Sequence, residues 1–576
     1  MKLICFICCQ LYLPKMFTHL RQRLGLWWAM VRIVLVSVAA VLIFDVLAGA
    51  AEIEEMEIDL AIDPNGESMT VQVRLHVNNT GNQQLSCLFL KPTRMEYLRE
   101  VASGRNVSYK FEQLSLPQYS VYMCTMSLSR LGQKCILELG YAYSGKDFYG
   151  YALNPSTMDN LVLGQITQQS VYSSHLYYYP YTDGRGGQAR IAITVPQGWM
   201  GVSAGVLQEQ ESLGDRCRFV YEIPYASGIL PYPIAAFPYV LQETIYQDRV
   251  LVGIYSSAAD AGHAREKLEF VTTNVLPFLE GLMGNYPLAN LRIVEVFPKE
   301  GNTGLAARGM VMLSENMWFS APIGGACDSL PAIVLVDECA HQWNAYHVQL
   351  PNYLAEGVSE YTDNLFIERF VDSNRIAANM ATYREAYAAI VDLLNRLKPL
   401  KDKGMSMEQA AGELGLTVEA IVPYWSYATW EELPISDPRV FPTLYFLKGA
   451  LAIHALRMEI GDEHFFQGFK KLFPVSSDQS VTLDDYRQCF ESVHGASLDD
   501  FFRIWYYEPG LPFGKYPGDF DMNGRVDLFD WCYLANDWKK SVNPGSYLGD
   551  ITGPDGKPDG RVDYLDVATF ARDFLK

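Results

Sequence analysis

The densest chemistry in the chain lies in seven residues, Asp337-Glu338-Cys339-Ala340-His341-Gln342-Trp343. Residues four apart share a helix face, so Asp337 and His341 present a carboxylate and an imidazole together, with Glu338 beside them. Such a set holds a divalent cation such as Zn2+, and a carboxylate next to the ion takes a proton from water. The expected chemistry is metal-assisted hydrolysis. The spacing is that of H-E-x-x-H, with aspartate at the first histidine position. A third ligand has to come from a later segment, and Glu356 in Leu354-Ala355-Glu356-Gly357 is the candidate. Glu338 is therefore assigned as general base, and Asp337, His341 and Glu356 as metal ligands.

The aspartate changes the physics. Two histidines and a glutamate leave Zn2+ with net charge +1, which brings the pKa of bound water down towards about 7. Asp337, His341 and Glu356 leave net zero, a weaker Lewis acid. Aspartate is also shorter than histidine, whereas ligand distances must hold to roughly 0.2 Å. Zn2+ occupancy is accordingly in doubt, and the oxygen-rich set leans towards a harder ion such as Mn2+.

These side chains need a helix under them. Ser329 and Pro331 are start signals for one running through Asn344. His347 falls past its end, Cys339 points off the metal face, and His454 in Leu451-Ala452-Ile453-His454-Ala455-Leu456 reads as a core histidine. Before this region, residues 52–241 read as β-structure: Met69-Thr70-Val71-Gln72-Val73-Arg74-Leu75-His76-Val77 alternates apolar and polar. Tyr177-Tyr178-Tyr179-Pro180-Tyr181 reads as packing. From about Val250 the pattern turns helical, with a helix over 258–283, a strand from Leu291 to Phe297 and long helices up to Trp505. Tyr516-Pro517-Gly518 breaks the chain before a repeated tail.

Ala340-His341-Gln342-Trp343, followed by Leu354-Ala355-Glu356-Gly357 and Tyr361, resembles the aminopeptidase N family of gluzincins, family M1. Further likeness comes from Val195-Pro196 with Gly198, Pro233-Ile234-Ala235-Ala236-Phe237, Gly309-Met310-Val311-Met312-Leu313, Lys448-Gly449-Ala450-Leu451, Gly461-Asp462-Glu463 and Trp505 to Pro512. The resemblance covers about Glu52 to Pro512. It implies a zinc peptidase with an N-terminal β-domain and a thermolysin-like domain, acting on a peptide or protein in its cleft. Three departures fall in the implied site. The first zinc histidine is Asp337. The G-x-M-E-N motif appears as Gly304-Leu305-Ala306-Ala307-Arg308-Gly309, so the glutamate that holds a substrate's free amine is Ala307 or Ala306, depending on register. The transition-state tyrosine falls on Phe446, beside Tyr445. Losing an oxyanion donor costs on the order of 10²–10³ in rate. The expectation is a weak or inactive peptidase; the alternative is a competent one with a modified Asp/His/Glu site.

The tail is a duplicated acidic loop. In Asp519-Phe520-Asp521-Met522-Asn523-Gly524-Arg525-Val526-Asp527-Leu528-Phe529-Asp530, oxygen donors fall at positions 1, 3, 5, 9 and 12 (Asp519, Asp521, Asn523, Asp527, Asp530). The Arg525 carbonyl serves at 7 and Gly524 makes the turn at 6, a Ca2+ loop pattern. The second copy keeps Asp555, Asp559, Arg561, Asp563 and Asp566, but has Lys557 at position 3, with Asp550 upstream as a substitute. Two such loop-plus-helix units resemble a type I dockerin, which implies a cohesin-type partner.

The formal net charge of −20 excludes nucleic acid as a partner. Arg32, the apolar run Ile33–Leu47 and Ala48-Gly49-Ala50 read as an export signal with Met1 or Met30 as the start, so a secreted or surface-attached protein is expected. After export, Cys87, Cys124 and Cys135 are the candidates for disulfide pairing among eight scattered cysteines. The expected fold is multidomain α+β. Its segments are 1–50 (signal), 51–247 (N-terminal antiparallel β-domain), 248–512 (thermolysin-like, α-rich catalytic domain) and 517–576 (small all-α calcium-loop, dockerin-like module).

Overall fold

The computed structural model describes residues 52–576, apart from 80–83, 91, 115–120, 154–159, 175–177, 182–184, 187, 224–225, 228–231, 300–303, 320–329, 373–374, 426–433, 437–442, 474–478, 509–516, 521–524, 541–548, 554–558 and 575–576. The export signal, Cys327, Tyr177, Asp521, Asn523 and Asp555 lie outside the described residues. Among the described residues, no helix is long and apolar enough to cross a membrane.

Alternation in the sequence becomes a sheet with one apolar face. Along Ser68–Asn78, Met69, Val71, Val73, Leu75 and Val77 are buried while the residues between them face outward. Each such side chain contributes roughly 1.5–3 kcal/mol by leaving water. This strand lies inside a seven-stranded sheet, in the order Val206–Ser212, Arg216–Ile223, Gln188–Pro196, Glu52–Asp63, Ser68–Asn78, Lys134–Ser144, Arg94–Glu100. The sheet is not wholly antiparallel, because Glu52–Asp63 and Gln188–Pro196 pair parallel. The strands are far apart in sequence, and the long chain between them can return to the same end. A three-stranded and a five-stranded sheet share its core, where Tyr178, Tyr179 and Tyr181 are buried in aromatic contacts. Cys87, Cys124 and Cys135 are buried thiols, with no disulfide among them. Cys87 and Cys124 face each other across neighbouring strands.

A second five-stranded sheet follows, in the order Val240–Tyr246, Val250–Ser256, Asn290–Val296, Met310–Ser314, Gly304–Ala307. Its central pairings are parallel. The expected helix over 258–283 forms as α1 (Ala261–Phe270), a π turn at Val271–Val275, and α2 (Leu276–Met283). Helices then dominate: α3 (Leu330–Asn344), α4 (Asn352–Phe370), α5 (Arg375–Asp402), α6 (Met407–Leu414), α7 (Val418–Trp425), α8 (Thr443–Leu472, broken at Gly461), α9 (Leu483–His494) and α10 (Asp499–Phe502). Their shared core runs from the sheet through Trp343 to Phe490.

The two repeats end in α11 (Leu528–Asp537) and α12 (Tyr564–Asp573), which pack around Phe520, Val526, Leu534, Ile551, Val562 and Phe570. This tail sits against α5, where the buried Arg384 donates to the Asp519 carbonyl at 3.1 Å.

Candidate metal centre

The short connection over 345–351 brings the end of α3 back against the start of α4. Asn344 clamps the two together, its amide nitrogen donating to the Ala355 carbonyl at 3.0 Å and to Ser359 Oγ at 2.9 Å. The α3–α4 pairing sets Glu356 opposite His341. His341 Nε2 lies 3.7 Å from Glu356 Oε2 and 3.8 Å from Asp337 Oδ2. Tetrahedral ligands with bonds of about 2.1 Å sit roughly 3.4 Å apart, so one ion spans these separations after a small adjustment. Donor atoms of Asp337, Glu338 and His341 lie within 4.8 Å of one another. All four sequence-assigned residues are brought together and buried.

The buried polar atoms test the fit to a metal. Asp337 Oδ1, Glu338 Oε2, His341 Nε2 and Glu356 Oε2 are buried and have no hydrogen-bond partner. Orphaned acceptors in a core are costly unless something supplies positive charge. His341 is prepared for that role, since its Nδ1 faces Asn344 Oδ1 at 3.1 Å and Ser359 Oγ at 3.3 Å. With Nδ1–H donating to Asn344, the lone pair is left on Nε2, aimed at the carboxylates. Burial pulls its pKa down to about 4, so the ring is neutral and able to ligate. Burial also pushes Asp337, Glu338 and Glu356 well above the usual carboxylate range; the Asp337 carboxylate raises both glutamates further, and Glu360 and Glu356 act on their neighbours in the same sense. A dication would reverse that repulsion. The residues fit a metal, with Asp337 as a usable, shorter ligand.

The edge strand Gly304–Ala307 closes the other side. Gln342 locks it to α3 by donating to the Ala307 carbonyl at 3.0 Å and accepting from Gly309 N at 2.7 Å. Glu338 accepts from the Ala306 backbone N–H. Ala306 and Ala307 are both buried on this strand. Tyr445 and Phe446 are buried in α8.

Tyr346 belongs to the site although sequence reading passed over it. Its hydroxyl donates to the Ala306 carbonyl at 2.7 Å, and Glu338 and Glu356 are close enough to push its pKa up further after burial has done so. Only the turn over 345–347 brings that phenol back to the edge strand. His347 lies in the same turn, beyond α3, as its sequence position indicates. His454 is a core residue that meets the Tyr361 hydroxyl at 3.0 Å.

In the tail, each position-12 carboxylate ties down the start of its own loop. Asp530 accepts from Phe520 N at 2.6 Å and Asp527 N at 2.9 Å. Asp566 accepts from Ile551 N at 2.7 Å and Asp563 N at 2.8 Å. Ile551 therefore matches Phe520, and Asp550 occupies the place that Asp519 has in the first copy. The close packing of Gly518 on Val526 and of Gly549 on Val562 says the same. Asp550 also accepts from Asp559 N at 3.1 Å and Gly560 N at 2.9 Å. The shared Gly-Asp-apolar opening was the sequence signal, obscured by a longer second loop. Asp559, Arg561 and Asp563 lie on that loop's return, as Arg525 and Asp527 do in the first.

No family model matches the chain. Aminopeptidase O of Rattus norvegicus is 20% identical over 308 residues, which cover 51% of this chain and 33% of that protein. Aminopeptidase N of Lactobacillus delbrueckii subsp. lactis is 24% identical over 274 residues, 46% of this chain and 29% of that protein. The chain thus spans about a third of the length of the curated relatives it matches. A crystal structure of the M1 zinc metallopeptidase from Deinococcus radiodurans superposes with a TM-score of 0.52 at 17% identity, covering 81% of this chain and 96% of that one. A further structure of that protein, bound to a Tyr-Ser-Ala substrate, gives a TM-score of 0.53 at 16% identity. The architecture is that of the M1 aminopeptidases: a β-rich N-terminal region followed by a helical part that carries an Asp/Glu/His cluster.

Proposed function

We propose that the protein is a metal-dependent peptidase of the M1 type, weakened by its altered centre. The observation that carries this reading is the set of orphaned, buried donor atoms on Asp337, Glu338, His341 and Glu356. An abandoned site has no reason to keep them unpaired, since each costs roughly 1–3 kcal/mol when neither hydrogen-bonded nor ligating.

Asp337, His341 and Glu356 would hold the ion, and its chemistry when bound is polarisation of a peptide carbonyl and acidification of water. Glu338 receives the proton of the attacking water on its unpartnered oxygen and passes it to the leaving amine. The strand Gly304–Ala307 walls the centre, with its Ala306 and Ala307 backbone groups held by Glu338, Tyr346 and Gln342. Ala306 and Ala307 provide no anchor for a free N-terminus, so cleavage within chains is expected over removal of terminal residues. Phe446 supplies no hydroxyl, and the dianionic donor set, which leaves the bound ion with no net charge, lowers Lewis acidity. Slow turnover follows.

The tail we read as a calcium-stabilised, dockerin-like tether. Leu528 and Tyr564, at equivalent positions of the two repeats, are 69% and 77% exposed. A duplicated apolar tip on two related helices suits a cohesin-type partner on a scaffold or cell surface. Export through the N-terminal segment would place the protein where such partners and Ca2+ occur.

Stoichiometric zinc or manganese in purified protein, lost in His341→Ala, is the expected result. No bound metal in the wild type under excess of either ion would end the peptidase reading.

A further inference from the structure

The turn after α3 carries a phenol that the chemistry above leaves unused. Tyr346 is tied at both ends. Its backbone N–H donates to the His341 carbonyl at 3.1 Å, and its hydroxyl donates to the Ala306 carbonyl at 2.7 Å. The side chain therefore spans from the ligand helix to the edge strand. The residue is half-buried, whereas Asp337, Glu338, His341 and Glu356 are enclosed.

Ala306 fixes where that hydroxyl lies relative to Glu338. In a strand, the N–H and C=O of one residue point to the same side. Gly304–Ala307 is the last strand of its sheet, and at Ala306 these two groups meet α3 and its turn. The Glu338 carboxylate takes the N–H and the Tyr346 hydroxyl takes the C=O. Base and phenol thus occupy neighbouring places on one strand edge. Burial first, then the nearby Glu338 and Glu356, push the phenol's pKa up, so it stays a protonated donor.

A base that takes the proton of attacking water stands next to the carbonyl under attack. The same geometry brings the Tyr346 hydroxyl to that carbonyl. Its present acceptor is a neutral backbone oxygen, and a hydrogen bond to an anionic oxygen is stronger. Tyr346 lies beyond the end of α3, so its side chain can turn without displacing the ligands.

We propose that Tyr346 is a catalytic residue, whose hydroxyl leaves the Ala306 carbonyl and donates to the substrate's carbonyl oxygen as that atom becomes an oxyanion. This rests on the peptidase reading above and adds a group to the same site. As the water oxygen bonds to the carbonyl carbon, one water proton passes to Glu338. The π pair of the C=O moves onto its oxygen, where the Tyr346 O–H meets it. When the C–N bond breaks, that pair re-forms the C=O, the proton on Glu338 goes to the leaving nitrogen, and Tyr346 returns to Ala306. A donor at this place contributes on the order of 10²–10³ in rate. Tyr346 thereby replaces part of what Phe446 cannot supply, the rest being lost in giving up Ala306.

The competing role is a pin that only holds the edge strand to the turn. The test uses the full chain loaded with zinc. Cleavage of an internally quenched peptide, zinc affinity by chelator competition and thermal melts are compared for the wild type, Tyr346→Phe and His341→Ala. The wild type is also crystallised with a phosphinic peptide, whose tetrahedral P–O⁻ mimics the oxyanion. Tyr346→Phe should lose on the order of 10²–10³ in kcat, or all cleavage above the His341→Ala level, with zinc affinity and melting point unchanged. In the crystal the Tyr346 hydroxyl should sit on the phosphinic oxygen, a result read on the wild type that survives a variant failing to fold. An unchanged kcat, a loss that only follows loss of zinc, or a hydroxyl still on Ala306 refutes the donor role, while cleavage by the wild type above the His341→Ala level keeps the peptidase reading. If the wild type cleaves no faster than His341→Ala, both fall.

Discussion

Gly449→Ala tests whether the centre depends on how closely two helices approach. Gly357, next to the ligand Glu356, packs on Gly449 of α8 backbone to backbone. A Cβ at Gly449 would lie 2.9 Å from Gly357 Cα and 3.1 Å from the Tyr353 carbonyl oxygen, whereas ordinary contact begins at 3.4 Å. Both obstacles are main-chain atoms, so no side chain can swing away. The helices must part by about 0.5 Å, more than twice the roughly 0.2 Å that ligand distances tolerate. Overpacking of this kind costs about 1–3 kcal/mol, or a melting temperature lower by roughly 2–10 °C in a domain this large. Moving Glu356 away from His341 should weaken zinc binding by about tenfold or more. Thermal melts and competition with a chromophoric chelator measure the two effects separately. A melting point within about 1 °C of wild type and an unchanged zinc affinity would show that α4 slides freely and that the glycine contact does not position Glu356. A lower melting point with unchanged affinity would confine the contact to stability.

Four other outcomes are expected. Asp337→His should raise zinc affinity by at least about tenfold and increase peptide cleavage, read by chelator competition and a fluorogenic peptide; no gain would move the defect elsewhere. Asn344→Ala removes the hydrogen bond that fixes the His341 tautomer and should weaken zinc binding about 10–100-fold by the same titration, whereas unchanged binding would show the ring needs no support. Glu295 is fully buried, and burial foremost, with Asp260 beside it, pushes its carboxyl up to about 8. A raised carboxylate pKa means the native state keeps a proton the unfolded chain has lost, so stability falls as pH rises from about 4.5 to 8; Glu295→Gln should remove that loss, gaining on the order of 3 kcal/mol over wild type at pH 8 relative to pH 5 in urea melts. For the tail, EDTA should lower its melting temperature, and Asp550→Asn should reduce calcium binding by one site per chain, measured by calorimetry; retention of both sites would return position 1 of the second loop to Asp555.

Much of the fold could be read because local signals agreed with one another. The alternation of Met69 to Val77 gave a half-buried strand, and Ser329 and Pro331 marked the start of α3 within a residue. The tail repeat was legible from two loops of matching residues. What went unread depended on long-range return of the chain. The parallel pairing of Glu52–Asp63 with Gln188–Pro196 requires a connection of more than a hundred residues to come back to the same end, and no local pattern records that. Tyr346 lies just past the end of α3, and only the turn there brings its hydroxyl to Ala306. The five extra residues in the second loop hid the equivalence of Asp550 and Asp519, which emerged only from the hydrogen bonds of Asp566 and Asp530.

The donor atoms were a matter of sequence alone: residue identity and a four-residue spacing put aspartate, glutamate and imidazole on one helical face, and put alanines and a phenylalanine where other donors were expected. Whether those donors stand empty-handed was a matter of tertiary structure. Packing of α4 against α3 buries Asp337, Glu356 and Asp363 among other carboxylates, and a buried carboxylate without a partner is a costly arrangement that a cation relieves. Spacing along a chain sets which groups can meet, but solvent exclusion, which fixes the charge they need, exists only once distant helices have closed over them.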